Sequence, residues 1–228
     1  MNELPVVTAR RKAFGNQRLY EIEGKLYPSV TTILSVVGKP ALVQWAKRVA
    51  IESVRAALGD VRELTRDRLD EVLDQALEEP ERQRDAAATR GSSLHEEILR
   101  QVQETGYDGF GVLLRLGVSP LAAEYVLYSD QHCYAGTTDL VATTDGNGLV
   151  VIDWKSGGAW PEHALQIGAY RLALEEMTGR AVVAGYVVGL RDGSPVIHQV
   201  DLELASAGFL SALGLYQALR DEGLLVAV

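Results

Sequence analysis

The stretch that most constrains the fold runs from Tyr134 to Lys155. It alternates like a strand as far as Val141, turns at Thr144-Asp145-Gly146-Asn147-Gly148, and re-enters as the apolar run Leu149-Val150-Val151-Ile152 ahead of Asp153-Trp154-Lys155. This pattern predicts a β-hairpin whose second strand is buried on both faces. Side chains on a strand alternate with a period of two, so Asp153 and Lys155 share one face, and Asp139 on the neighbouring strand is brought alongside them. Taken alone, Asp-x-Lys is the pattern of a solvated charge pair worth about 0–1 kcal/mol. Next to a buried strand, however, an unpaired charge is costly, and a functional site tolerates such a charge better than a surface does.

Two carboxylates converging with an ammonium suit one kind of chemistry. A phosphodiester is anionic and unreactive, and its hydrolysis needs a hard divalent cation that offsets developing charge and lowers the pKa of water. Mg²⁺ or Mn²⁺ takes oxygen ligands and keeps several waters. Asp139, Asp153 and the backbone carbonyl of Trp154 would supply the protein ligands, leaving Lys155 to orient the attacking water or stabilise the transition state. The expectation from these residues is a metal-dependent nuclease centre.

An ordered set of motifs accompanies it: Arg90-Gly-Ser-Ser-Leu-His95, Gly136-Thr-Thr-Asp139, Asp153-Trp-Lys155 and Gln166-x-x-x-Tyr170. As a set this resembles the PD-(D/E)XK nuclease superfamily, and within it the RecB-like branch, over roughly residues 85 to 220. The resemblance implies that His95, Asp139 and Asp153 ligate the metal, that Lys155 assists the water, and that Gln166 and Tyr170 face the site or the substrate. It gives Glu124, on the preceding strand, a looser role as an outer or second-ion ligand. Without the resemblance, His95 reads as an ordinary helical histidine, and Gln166 and Tyr170 read as a core-edge pair four residues apart.

Near the N-terminus, the segment from Tyr20 to Leu34, with Tyr27-Pro-Ser-Val-Thr31 at its centre, resembles the opening of the mitochondrial genome maintenance exonuclease family and related phage exonucleases. A local account serves equally well: Glu23-Gly24 makes a tight turn, and Ser29 or Thr31 caps a helix bearing Ile33, Leu34 and Val37.

The net charge of −9 is unexpected for a protein that must hold a polyanion, but it is unevenly distributed. Residues 1–55 carry nine Lys or Arg against four acids, so the remainder is strongly acidic. A basic N-terminal arm beside an acidic metal centre is a workable nuclease layout, with Lys47 and Arg48 as candidate phosphate contacts; the alternative is a merely solvated basic face. Arg90 either grips a phosphate or pairs with Asp85 or Glu97. Trp160, in Gly-Gly-Ala-Trp-Pro, is the tryptophan whose loop position suits stacking on a base. A single cysteine, Cys133, forbids an internal disulfide and a four-cysteine iron–sulfur cluster, and is expected to be a packed thiol. No apolar run is read as a membrane span of about 20 residues, and Met1-Asn-Glu-Leu-Pro lacks signal-peptide character, so a cytoplasmic protein without membrane partners is expected.

Periodicity predicts helices at 31–37, 41–58, 61–78 and 81–105, strands at 122–129, 134–143 and 149–155, a helix at 161–178, strands at 182–190 and 196–202, and a helix at 204–221. The order α-β-β-β-α-β is that of a restriction-endonuclease-like α/β core, a mixed sheet flanked by helices. The chain then divides into an N-terminal hairpin and helical elaboration at 1–80 and a nuclease core at 81–228. Taken together, the expected function is that of a Mg²⁺- or Mn²⁺-dependent exonuclease on single-stranded DNA ends, serving repair, recombination or phage replication. The alternatives are an endonuclease of the same fold and a non-catalytic nucleic-acid-binding module. Cleavage polarity, DNA against RNA, metal stoichiometry, oligomeric state and protein partners are not legible in the sequence.

Overall fold

The computed structural model describes residues 4–15, 17–59, 65–156, 158–191 and 194–221. The chain divides into two compact units, one formed by Met1–Val37 with Leu94–Val228 and the other by Gly38–Ser93. The divisions fall at 37/38 and 93/94, whereas the sequence pattern predicts one boundary at 80. The N-terminal hairpin therefore belongs to the same unit as the second half of the chain.

That larger unit is built on a five-stranded mixed sheet in the order β4 (Ser119–Ser129), β5 (Tyr134–Thr143), β6 (Leu149–Lys155), β7 (Val182–Arg191) and β8 (Ser194–Gln199). Neighbouring strands are antiparallel except β6 and β7, which run parallel and are joined through α5 (Pro161–Thr178). Because the central strands are covered on both sides, β6 is apolar without alternation, and every residue from Leu149 to Trp154 is buried. Val141 and Val151 face a core made with α5 and with α6 (Leu202–Asp221) through Ile167, Ala173, Phe209 and Leu213. Leu140, Ile152 and Trp154 face the other way, onto Ile98 and Val102 of α3 (Arg66–Thr105) and Val112 and Leu113 of α4 (Val112–Leu116). The arrangement is restriction-endonuclease-like.

α5 is buried over five consecutive residues, Gln166 to Tyr170, because the sheet covers one side and α6 another. Their close crossing depends on Gly168, where a Cβ would stand 2.4 Å from the Ala205 carbonyl carbon. α6 is long and apolar enough to cross a membrane by length and composition, which corrects the reading that no segment is; its inner residues Ala205, Phe209, Ala212, Leu213 and Tyr216 are spent on the core.

The N-terminal segment forms a three-stranded antiparallel sheet, β1 (Ala9–Phe14), β2 (Gln17–Ile22) and β3 (Lys25–Pro28), followed by α1 (Val30–Ile33) and a 3-10 turn at Leu34–Val36. Ser29 caps α1 by accepting the Thr32 amide at 3.0 Å, while the Thr32 hydroxyl holds both the amide and the carbonyl of Arg18. The Pro-Ser-Val-Thr motif thus ties the helix start to β2. Tyr20, Ile22 and Tyr27 pack with Ala135 of β5, and Ser29 bridges to Ala135.

The smaller unit consists of α2 (Pro40–Leu58) and the first part of α3, with Val49, Val72 and Ala76 buried. α3 is one helix of 40 residues where two were expected, and it contains Pro80. A proline removes one backbone hydrogen bond, but ion pairs of Glu79 with Arg82 and of Glu81 with Arg84 flank it at helical spacing. A second correction concerns Cys133, which is exposed at a positive φ of 56° in the β4–β5 turn and is not packed.

Candidate active site

The β5–β6 ladder pairs Thr143 with Leu149, Ala142 with Val150, Val141 with Val151 and Leu140 with Ile152, and there it stops. The next position would set Asp139 opposite Asp153. Instead the Asp139 Oδ2 accepts the Trp154 amide at 2.7 Å, so a side-chain carboxylate satisfies a backbone donor where the strands part. Asp153 is 1% exposed, and the Lys155 ammonium lies 2.5 Å from its Oδ2 as an ion pair. The helix α3 supplies His95, whose Nδ1 is 3.6 Å from Asp139 Oδ2, beyond hydrogen-bond length.

On the far side of the carboxylates stands α5. The Gln166 amide donates to the Tyr170 hydroxyl at 2.5 Å, and both residues are buried. Tyr170 reaches this position because β5 has a glycine beneath it: a Cβ on Gly136 would stand 2.7 Å from Tyr170 Cε1. Glu124, on β4, takes the register position beside Asp139 with a positive φ of 47°, a backbone strained for any residue but glycine.

The electrostatics follow from this packing. Burial raises the Asp139 pKa well above the carboxylate range, and the charge of Asp153 adds to this; Lys155 and the Trp154 amide act against it. Burial alone would depress Lys155, but Asp153 and Asp139 outweigh it and the ammonium is held more tightly protonated than usual. His95 is pushed down, chiefly by burial, and is neutral at physiological pH, the form that ligates metals. Tyr170 is raised well above its ordinary value by burial and then by Asp153, so its hydroxyl keeps its proton.

Among the described residues no three His, Cys, Asp or Glu side chains already form a metal cage. The donors present fit a cation that retains water: two carboxylates, one buried and held against the Lys155 ammonium, the other destabilised by burial and by its neighbour's charge, together with a neutral imidazole. Asp139, Asp153 and His95 would hold it, with the Trp154 carbonyl and Glu124 within the same group of residues.

The structure therefore brings His95, Asp139, Asp153, Trp154, Lys155, Gln166 and Tyr170 together, and Glu124 is close enough to act on Asp139 and His95. Trp160 stands half-exposed at the start of α5, where with His198 and Leu204 it lines a cavity of about 370 Å³. Lys47 and Arg48 are exposed on α2 in the smaller unit, and Arg48 is 4.0 Å from Glu52. The side chain of Arg90 lies outside the described residues.

Sequence reasoning missed a contact from the N-terminal sheet. Thr137, two residues before Asp139 on β5, accepts a hydrogen bond from Arg11 Nη2 at 3.0 Å, and its Oγ1 is 2.9 Å from the Tyr20 hydroxyl. The Arg11 guanidinium lies over the Tyr20 ring, 5.8 Å from its centroid. Residues 117 and 126 positions apart leave no local signal of this; only Gly136, an isolated glycine in a strand, marks a close approach.

A mixed sheet carrying this carboxylate pair and lysine defines a nuclease-type centre. The sequence profile of the PD-(D/E)XK nuclease superfamily matches residues 41–211, well over half of the chain, and the protein belongs to that superfamily. Its members generally use divalent metals such as Mg²⁺ or Mn²⁺ and act on nucleic acid. No curated protein matches the sequence. Among solved structures the chain is similar to that titled "Crystal structure of SSO0001", at 14% identity over 77% of this chain and 86% of that one, with a TM-score of 0.42.

Proposed function

We propose that this protein is a DNA exonuclease of the RecB-like branch, acting on single-stranded ends with Mg²⁺ or Mn²⁺, in the cytoplasm and in DNA repair, recombination or phage replication. The observation that carries the reading is the meeting of Asp139, Asp153 and Lys155 where β5 and β6 part, with His95 on one side and the Gln166–Tyr170 pair on the other. A divalent cation bound there supplies charge neutralisation at the phosphate and a water of lowered pKa.

The residues of the chain do the rest. Asp139 and Asp153 would be the carboxylates that face the cation, its charge offsetting the burial that otherwise favours a protonated Asp139, and His95 would add a neutral donor. Lys155 remains protonated, so it serves as a hydrogen-bond donor to the water or to the charged transition state and not as a general base. Gln166 occupies the Tyr170 oxygen as a donor, which leaves the tyrosine's own proton free to be donated onward. Support for the branch, and for kinship with mitochondrial genome maintenance and phage exonucleases, comes from the Tyr27-to-Thr31 motif, whose helix start is fastened beside Ala135 of β5.

The test is paired digestion of linear and closed circular single-stranded DNA in Mg²⁺ or Mn²⁺. An exonuclease degrades the linear form and spares the circle. Equal cleavage of the circle would replace this reading with an endonuclease.

A further inference from the structure

The site gathers Asp139, Asp153 and Glu124 in a chain of net charge −9, and carboxylates repel an approaching phosphodiester until something cationic meets it. Lys155 cannot serve at a distance, because its ammonium is committed to Asp153. A cation that the fold ties to β5 is Arg11, on the edge strand β1, directly opposite Tyr20 of β2 and hydrogen-bonded to Thr137, two residues before Asp139.

Arg11 differs from Lys12 and Lys25. Lys12 pairs with Glu21, and Lys25 with Asp130. No carboxylate pairs with Arg11 among the described residues, and the exposed guanidinium has two contacts: its Cζ stands 5.8 Å from the centroid of the Tyr20 ring, and one Nη donates to Thr137. A guanidinium has five N–H donors in a rigid fork. With one engaged by Thr137, two residues before Asp139 on β5, the remaining donors of this exposed side chain are available to a ligand. Such a group is suited to two phosphate oxygens at once.

We propose that Arg11, oriented by Tyr20 and Thr137, is a phosphate-binding residue of this site, gripping the backbone phosphate next to the one that enters the carboxylate row. The assignment rests on the nuclease reading and gives it a point of substrate contact on the N-terminal sheet. It also gives that sheet a functional role: Tyr20 and Thr137 are positioning residues, since they act on Arg11 and not on the phosphate.

The test is binding of a fluorescent single-stranded oligonucleotide in EDTA, over a series of salt concentrations, by the parent, Arg11→Ala, Arg11→Lys and Arg220→Ala. The last makes the same change of charge at the end of α6, in an arginine already paired with Asp221. Arg11→Ala should weaken binding on the order of tenfold and reduce the slope of log affinity against log salt by about 0.7, the value for one phosphate no longer neutralised. Arg11→Lys should restore the salt slope but only part of the affinity, because an ammonium cannot span Thr137 and a phosphate. Arg220→Ala should match the parent. Parent-like affinity and slope in Arg11→Ala, or an equal loss in Arg220→Ala, would overturn the subsite while leaving the nuclease reading intact. Failure of the parent to bind any oligonucleotide would overturn both.

Discussion

Asp139 and Asp153 occupy the first positions beyond the paired length of β5 and β6, and Asp139 accepts the Trp154 amide where the ladder ends. The end of a ladder is where two strands can bring side chains to one point without backbone bonds between them. The same opening admits His95 from α3.

Because Asp139 holds its proton well above the ordinary value of 3.8, the metal-free protein should lose stability as pH rises. The folded state binds this proton more tightly than the unfolded chain does, so the contribution is fully present below about pH 4 and is lost as pH rises through the elevated folded value. Thermal melts in EDTA from pH 4 to 8 should show this decline, and Asp139→Asn should flatten it. A decline of the same size in the variant would place its origin elsewhere.

Lys155→Ala should separate chemistry from ion retention. Turnover should fall by about 10²–10³-fold, the usual cost of losing a transition-state donor. Mn²⁺ binding followed by calorimetry should persist or tighten, since an ammonium near the carboxylates opposes a cation. Loss of ion binding would make the lysine a structural element instead.

Gly168→Ala tests the packing that positions α5. Its Cβ would meet the backbone of Ala205 and Ser206 at 2.4–2.5 Å, and backbone cannot swing aside as a side chain can. A loss of about 1–3 kcal/mol is expected, which lowers the melting temperature by roughly 2–4 °C per kcal/mol in a chain of this size. An unchanged melting temperature would mean that α5 and α6 part without cost.

Much of the five-stranded sheet was legible because its strands carry strong local signals: the aliphatic run of β6, the alternation of β5 and the Asp-Gly-Asn-Gly turn between them. The ordered motifs named residues that the structure brings together for the same reason, since each lies at a fixed place on its element. The continuous α3 was not legible, because proline at 80 reads as a break and the ion pairs that flank it are recognised only once the helix is granted. In sequence Arg11 is only one cation of a basic arm and Tyr20 only the first residue of the Tyr20–Leu34 segment. Their meeting with Thr137 depends on how a distant sheet packs, which no window of sequence records.

The basic residues of α2 make a separate prediction. Replacing Lys47 and Arg48 together by Ala should weaken single-strand binding measured in Ca²⁺ and flatten its salt dependence by about 0.7 for each phosphate left without its cation. Cleavage at saturating DNA should change little. Identical affinities and slopes would show that this part of the helix is only a solvated face.

The central claim is that the Asp139–Asp153 pair is the catalytic metal centre of a nuclease, and it is tested most directly with end-labelled single-stranded DNA, comparing the parent and Asp153→Asn in Mg²⁺, Mn²⁺ and EDTA. The parent should release labelled product in either metal and none in EDTA. The variant should release none in any condition while circular dichroism shows the parent's fold, because an amide retains the shape of Asp153 without its charge. Cleavage by Asp153→Asn at a rate near the parent's would contradict the account.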